Sequence, residues 1–295
     1  MKNGWQQKAS VLVEALPYIK RFYGKMVVIK YGGNAMVNEE YKDAIMKDIV
    51  LMKYVGMKPI VVHGGGPAIN EMLERVGKKS RFVNGLRITD EETMEIAQMV
   101  LAGKINKEIV TLINKHGAKA VGLCGKDSGL LRVEKQFAEV KEGTGTTQVD
   151  IGLVGEVMEV DTEILDVLTD KGFIPVIAPI GTGPGGQSYN VNADYAASAI
   201  AGALMADKFV LLTDVEGIMD TRNGEEKLIS TINREEAELL MEEGVITGGM
   251  IPKVQCCLQA LDSGVERIHI INGTVMHSLL LEIFTESGIG TMIEK

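Results

Sequence analysis

The chain alternates short apolar runs with longer amphipathic segments. Residues 8–23 put Leu12, Leu16, Ile19 and Tyr23 on one stripe at helical spacing, with Ser10, Glu14 and Arg21 on another face, which predicts a helix. Pro17 inside it predicts a kink. After Gly24, the run from Met26 to Ile29 reads as a buried strand. A helix follows from about Glu39 to Tyr54, with Ile45, Ile49 and Met52 on one face. Pro59 to Val62 is a second strand, ending in three glycines, and Pro67 suits the first turn of the next helix. Thr89-Asp90-Glu91-Glu92 caps a long helical stretch to about Lys115. Further strands are expected at Ala120 to Cys124, Leu153 to Val160, Ile174 to Ala178, Phe209 to Leu212 and Ile268 to Ile271. Between and after them, helices are expected from Asp161 or Thr162 to Lys171, Ala193 to Met205, Glu235 to Glu243, Lys253 to Ser263 and Val275 to Glu286. Strands separated by helices predict an α/β fold with a mainly parallel sheet covered on both faces. The Gly/Pro-rich run Gly181 to Gly186 is the best candidate for a boundary between lobes.

A length of 295 residues fits one large domain or two closely joined lobes. A net charge of −9 argues against nucleic acid as a partner, yet a small anion held by local cations remains compatible with it. No apolar run is long enough to span a membrane, and the N-terminus lacks an apolar signal core. Cys124, Cys256 and Cys257 form no Cys-x-x-Cys pair. The expectation is a reduced, cytoplasmic protein with no membrane partner.

The candidate chemistry lies in two lysines set beside paired glycines. One is in Lys30-Tyr31-Gly32-Gly33-Asn34 and the other in Gly248-Gly249-Met250-Ile251-Pro252-Lys253. Glycines let backbone N–H groups approach an anion, and lysine adds a mobile positive charge. Two such lysines far apart in sequence suggest two lobes converging on a phosphoryl group. His63-Gly64-Gly65-Gly66-Pro67 lies between them, where a strand gives way to a helix. That edge of a parallel sheet, with its free N–H groups, is where ligands bind. A tight turn needs glycine too, but not three in a row.

Lys30 alone reads equally well as a lysine reaching out from a strand end. The neighbouring glycines favour phosphate contact. In Asn190-Val191-Asn192-Ala193-Asp194, helix capping by Asn192 or Asp194 is the simpler reading. The alternative gives Asn190 a substrate and has Asp194 orient the lysines. Gly181 to Gly186 formally fits G-x-G-x-x-G, but Pro184 breaks the turn and the next helix starts only near Asn192, so a dinucleotide site is excluded. His63, His116, His269 and His277 lack metal-ligand spacing, and no metal ligands are expected.

Taken in order, these motifs, with Asn84-Gly85-Leu86-Arg87 and Leu212-Thr213-Asp214-Val215-Glu216-Gly217, resemble the amino acid kinase family from about residue 24 onward. Within it they resemble the branch that phosphorylates the γ-carboxylate of N-acetyl-L-glutamate in arginine biosynthesis. The resemblance implies a three-layer αβα sandwich. Residues 24–182 would form the lobe for the amino-acid substrate and residues 183–295 the lobe for ATP. Arg87, Gly65, Gly66 and Asn190 would hold the substrate. Lys30 and Lys253 would flank the transferred phosphoryl group, with Asp194 holding both. Gly32, Gly33, Thr213, Asp214, Gly217 and Gly249 would lie by ATP, whose phosphates would bridge Mg²⁺.

The C-terminal residues further resemble the arginine-inhibited members. These imply L-arginine held by Lys208, His277, Glu282, Gly288, Gly290 and Tyr18, and residues 1–23 linking dimers into a hexamer. Read from its residues alone, that N-terminal helix could equally pack on its own subunit, and Glu282 could be a solvated acid. Two other functions stay open: a carboxylate kinase for an aminoadipate-type substrate, and a sensor without catalysis.

Overall fold

The structure, a computed structural model, describes residues 2–142, 145–222, 224–285 and 288–295. At its centre are β1 (Met26–Tyr31), β2 (Lys58–His63), β3 (Ala120–Cys124), β4 (Ile174–Ala178), β5 (Lys208–Thr213), β6 (Thr231–Asn233), β7 (Arg267–Asn272) and β8 (Thr291–Glu294). They form one sheet in the order β6-β8-β7-β5-β1-β2-β4-β3. The six strands from β7 to β3 run parallel. β8 is antiparallel to β7, and β6 pairs parallel to β8. Side chains of β1 alternate between two cores, Val27, Ile29 and Tyr31 on one face and Val28 on the other. Both faces are dry, so the strand reads as an unbroken apolar run. Burying a side chain such as Ile29 stabilises the fold by roughly 1.5–3 kcal/mol.

The helices are α1 (Lys2–Glu14), α2 (Leu16–Phe22), α3 (Glu39–Tyr54), α4 (Gly66–Arg75), α5 (Glu91–Gln98), α6 (Asn106–Lys115), α7 (Glu163–Asp170), α8 (Ala193–Ala203), α9 (Arg234–Glu242), α10 (Met250–Asp262) and α11 (Ser278–Phe284). Ile45, Ile69, Met94, Ile109 and Leu279 bring α3 to α6 and α11 onto the Ile29 face. Leu165, Ala196, Ala237 and Val254 bring α7 to α10 onto the Val28 face. The result is a three-layer αβα sandwich, as expected. Among the described residues no helix is long and apolar enough to cross a membrane.

Several elements differ from the sequence reading. The first helix is interrupted at Ala15, with Pro17 in the first turn of α2. The stretch from α5 to α6 contains a π-helical segment, Met99–Ile105. α10 begins at Met250, three residues ahead of Lys253. Leu131–Glu142, unexpected as a strand, pairs antiparallel with the longer strand Gly145–Val160. These two close with Ile180–Thr182 and Ser188–Asn190 into a small four-stranded barrel. α11 starts at Ser278 rather than Val275, because His277 adopts a left-handed φ of 59°. Ahead of it, Asn272 accepts from the Thr274 N–H at 2.8 Å and fixes a turn. α11 ends at Phe284, and Glu286 lies outside the described residues.

Candidate active site

β1 carries Lys30 to the carboxyl edge of the sheet, where its Nζ lies 2.8 Å from Asp194 Oδ1. Lys253, in the first turn of α10, donates to Asp194 Oδ2 at 2.8 Å. Asp194 sits in the first turn of α8, but the cap is Asn192, which accepts the Asp194 N–H at 2.8 Å. Capping and bridging are thus divided between the two residues. Burial pushes the Asp194 carboxyl up, but the two ammonium charges and their hydrogen bonds outweigh it and hold the group at about 2. Asp194 thus bridges the two ammonium groups, Lys30 on one oxygen and Lys253 on the other. The three side chains together carry one excess positive charge.

Glycines give this arrangement its room. A Cβ on Gly32 would lie 2.5 Å from Lys30 Nζ. Gly33 has φ +70°, and a Cβ there would fall 2.4 Å from Asp214 Oδ1. That same oxygen accepts the Asn34 N–H at 2.6 Å, tying the turn after β1 to the loop after β5. Thr213 Oγ1 shapes that loop by donating to the Val215 carbonyl at 2.8 Å. Gly217 packs against Thr291, and Gly249 leads directly into α10.

Beside Lys30 is a cleft of about 190 Å³, lined by Gly65, Gly66, Arg87, Asn190 and Asp194 among others. The expected substrate residues therefore converge on one space. Arg87 is buried, which pushes its proton affinity down. No carboxylate stands within ion-pair distance of it among the described residues. Asn190 Nδ2 is 3.4 Å from Thr89 Oγ1.

The glycine loop is held from below by residues the sequence reading did not select. Leu101 and Ile105 of the π-helical segment press on Gly65, where a Cβ would meet them at 2.6 and 2.4 Å. Burial pushes His63 down to about 4, so it is neutral. A consistent assignment has Nδ1–H donating to the Gly64 carbonyl at 2.9 Å and Nε2 accepting from Asn106 Nδ2 at 3.2 Å. Asn106 also donates to the Val176 carbonyl of β4 at 2.8 Å.

A second cavity, of about 630 Å³, lies towards the opposite edge of the sheet and is lined by Tyr18, Lys208, His269, Glu282, Gly288 and Gly290 among others. Glu282 is buried, which corrects its reading as a solvated acid. It accepts from His269 Nδ1 at 2.5 Å and from the Ile289 N–H at 2.7 Å. Lys208 Nζ completes the chain 2.9 Å from His269 Nε2. His277 is not in this group, and its Nδ1 meets Asp48 of α3 at 2.6 Å. His269 was missed, although a histidine between Ile268 and Ile270 in a strand is itself a signal.

Burial pushes Lys208 from 10.5 down to about 8. Between those values the unfolded chain binds the extra proton, so stability should rise with pH across that window. Denaturant unfolding at pH 8 and pH 10 should show this rise in wild type. Lys208→Met should show less of it, and equal slopes would contradict the assignment.

Among the described residues no three His, Cys, Asp or Glu side chains stand together in a way that could hold a metal ion. Both oxygens of Asp194 are already occupied by lysines. The carboxyl edge of this sheet is thus equipped for anions, by lysines and glycine N–H groups.

Residues 25–272 match the model of the amino acid kinase family, and the chain belongs to that family. It is an enzyme of the kinase class. Its particular likeness is to acetylglutamate kinases. It is 60% identical over 290 residues to that of Heliobacterium modesticaldum, covering 98% of each chain. It is 59% identical over 296 residues to that of Pelotomaculum thermopropionicum, covering 100% of each. Among solved structures it resembles N-acetylglutamate synthase from Neisseria gonorrhoeae complexed with coenzyme A and N-acetyl-glutamate, at 28% identity and a TM-score of 0.84. That match covers 97% of this chain but only 63% of the synthase chain. The same synthase complexed with coenzyme A and L-arginine matches at 26% identity and a TM-score of 0.80, covering 97% of this chain and 65% of the other.

Proposed function

We propose that this chain transfers the γ-phosphoryl group of ATP to the γ-carboxylate of N-acetyl-L-glutamate, a step of arginine biosynthesis. The observation that carries this reading is the Lys30–Asp194–Lys253 bridge at the mouth of a cleft whose wall is Arg87. Arg87 would grip the α-carboxylate, with the Gly65 and Gly66 N–H groups and Asn190 fixing the rest of the acid. A γ-carboxylate titrates near ~4 and is already a nucleophile at neutral pH. No general base is needed. Its oxygen forms a bond to the γ-phosphorus as the bond to the β,γ-bridging oxygen breaks, and ADP departs. Lys30 and Lys253 stabilise charge on the phosphoryl oxygens in transit, a matter of positioning and fixed electrostatics. Gly32, Gly33, Thr213, Asp214, Gly217 and Gly249 would border the nucleotide. Mg²⁺ would travel on its phosphates. Trapping the acyl phosphate with hydroxylamine, across acetylglutamate, glutamate, aspartate, carbamate and an aminoadipate-type acid, tests the reading. Signal confined to acetylglutamate is expected. None with acetylglutamate would overturn it.

We further infer that the second cavity takes L-arginine as an inhibitor and that residues 1–23 join dimers into a hexamer. Supporting the first are the buried acid Glu282 and the glycines beside it. For the second, Trp5, Leu12 and Leu16 are exposed on α1 and α2, a face suited to another subunit. Arginine would then act by coupling two distinct sites. A protein lacking residues 1–23 should be a smaller oligomer, active and insensitive to arginine. Sedimentation and inhibition assays check this, and a truncated hexamer still inhibited by arginine would refute it.

A further inference from the structure

Arg87 is aimed by Gly66 and Phe82 in the cleft lining and by Ser80 and Asn70 outside it. Its Nη1 donates to Ser80 Oγ at 2.6 Å, and that hydroxyl donates in turn to Asn70 Oδ1 at 2.7 Å. Its Nη2 donates to the Gly66 carbonyl at 3.2 Å. The guanidinium lies 4.7 Å from the centre of the Phe82 ring, which holds its flat face. Ser80 lies in the loop after α4, and Asn70 lies on α4 itself, one turn beyond Gly66. The helix that presents the Gly66 N–H thus also sets the angle of the arginine. Each terminal nitrogen has two hydrogens, and the bonds to Ser80 and Gly66 use one of each. One hydrogen per nitrogen is left for the two oxygens of a carboxylate, the pairing in which arginine is strongest.

We propose that Ser80, oriented by Asn70, is a positioning residue that makes the cleft specific for substrates with a free carboxylate at the Arg87 end. This rests on the reading of the substrate given above. Without the Ser80 oxygen, the guanidinium can rotate about its stem, and a two-oxygen acceptor loses its advantage over an amide with one. Ser80 touches no reacting atom, so its effect should appear in discrimination and not in phosphoryl transfer.

The test compares N-acetyl-L-glutamate with its α-carboxamide, which keeps the γ-carboxylate. In Ser80→Ala the ratio of kcat/KM for the acid over the amide should fall by roughly tenfold, the effect of one hydrogen bond to a charged group. The KM for ATP should stay unchanged. Ser80→Thr, which keeps the hydroxyl, should restore the ratio. Asn70→Ala should lower it in the same direction, and serves if Ser80→Ala does not fold. An unchanged ratio in the alanine variants, or a fall matched by a rise in the KM for ATP, would overturn the proposal. A wild type active on the amide and the acid alike would do the same. If wild type phosphorylates neither, the reading of the substrate fails first, and this inference goes with it.

Discussion

Lys253→Ala should lower kcat by at least about 10²–10³-fold, the loss measured when one charge-stabilising donor is removed from an active site. KM values should move far less. Lys253 and Lys30 share Asp194 in the resting protein, one on each oxygen. As the phosphoryl group leaves ADP, negative charge spreads over its oxygens, and both ammonium groups can exchange part of their hold on Asp194 for it. That gain exists only in the transition state, so it appears in kcat. Lys30→Ala should behave alike, with a larger loss of stability because Lys30 is the more buried lysine and Asp194 would keep only one counter-charge. Steady-state kinetics well below the melting temperature of each variant checks the turnover, and thermal melts check the difference in stability. Near wild-type turnover in purified Lys253→Ala would end the two-lysine mechanism.

Arg87→Lys should raise the KM for acetylglutamate by roughly 10–100-fold, since one or two hydrogen bonds to a charged group are lost. The KM for ATP should change little. Lysine keeps the charge but not the planar fork, and its three hydrogens cannot serve Ser80, the Gly66 carbonyl and both oxygens of a carboxylate together. Equal changes in both KM values would place Arg87 away from the acid.

The parallel core was legible because its strands are apolar on both faces and a helix such as that after Asp90 begins at a plain cap. The barrel hairpin was harder. Arg132, Glu134 and Lys135 put charge along one strand, and its apolar positions are spread around a register shift between Arg132 and Val133. β8 gave no warning either, as four residues at the end of the chain carry too little pattern. In the site, Lys30, Gly65, Gly66 and Lys253 stand in or beside glycine clusters and could be found. Those that support them from behind could not. Ser80, Asn70, Asn106 and His269 act through partners 7 to 70 positions away, and local spacing does not encode such pairs.

β5 runs from the large cavity to the edge of the sheet where Lys30 lies. Its first residue, Lys208, lines the large cavity, and its last, Thr213, opens the loop that bends back to Gly33. Between them lies a six-residue strand, roughly 20 Å long, hydrogen-bonded to β1 on one side and β7 on the other. A strand clamped on both edges does not stretch or buckle. It can tilt or slide only together with its neighbours, and β1 is the neighbour that carries Lys30. A tilt of β5 would therefore carry β1 and Lys30 with it while Lys253 stays on α10, off the sheet, and the gap between the two lysines would change with the lie of the strands.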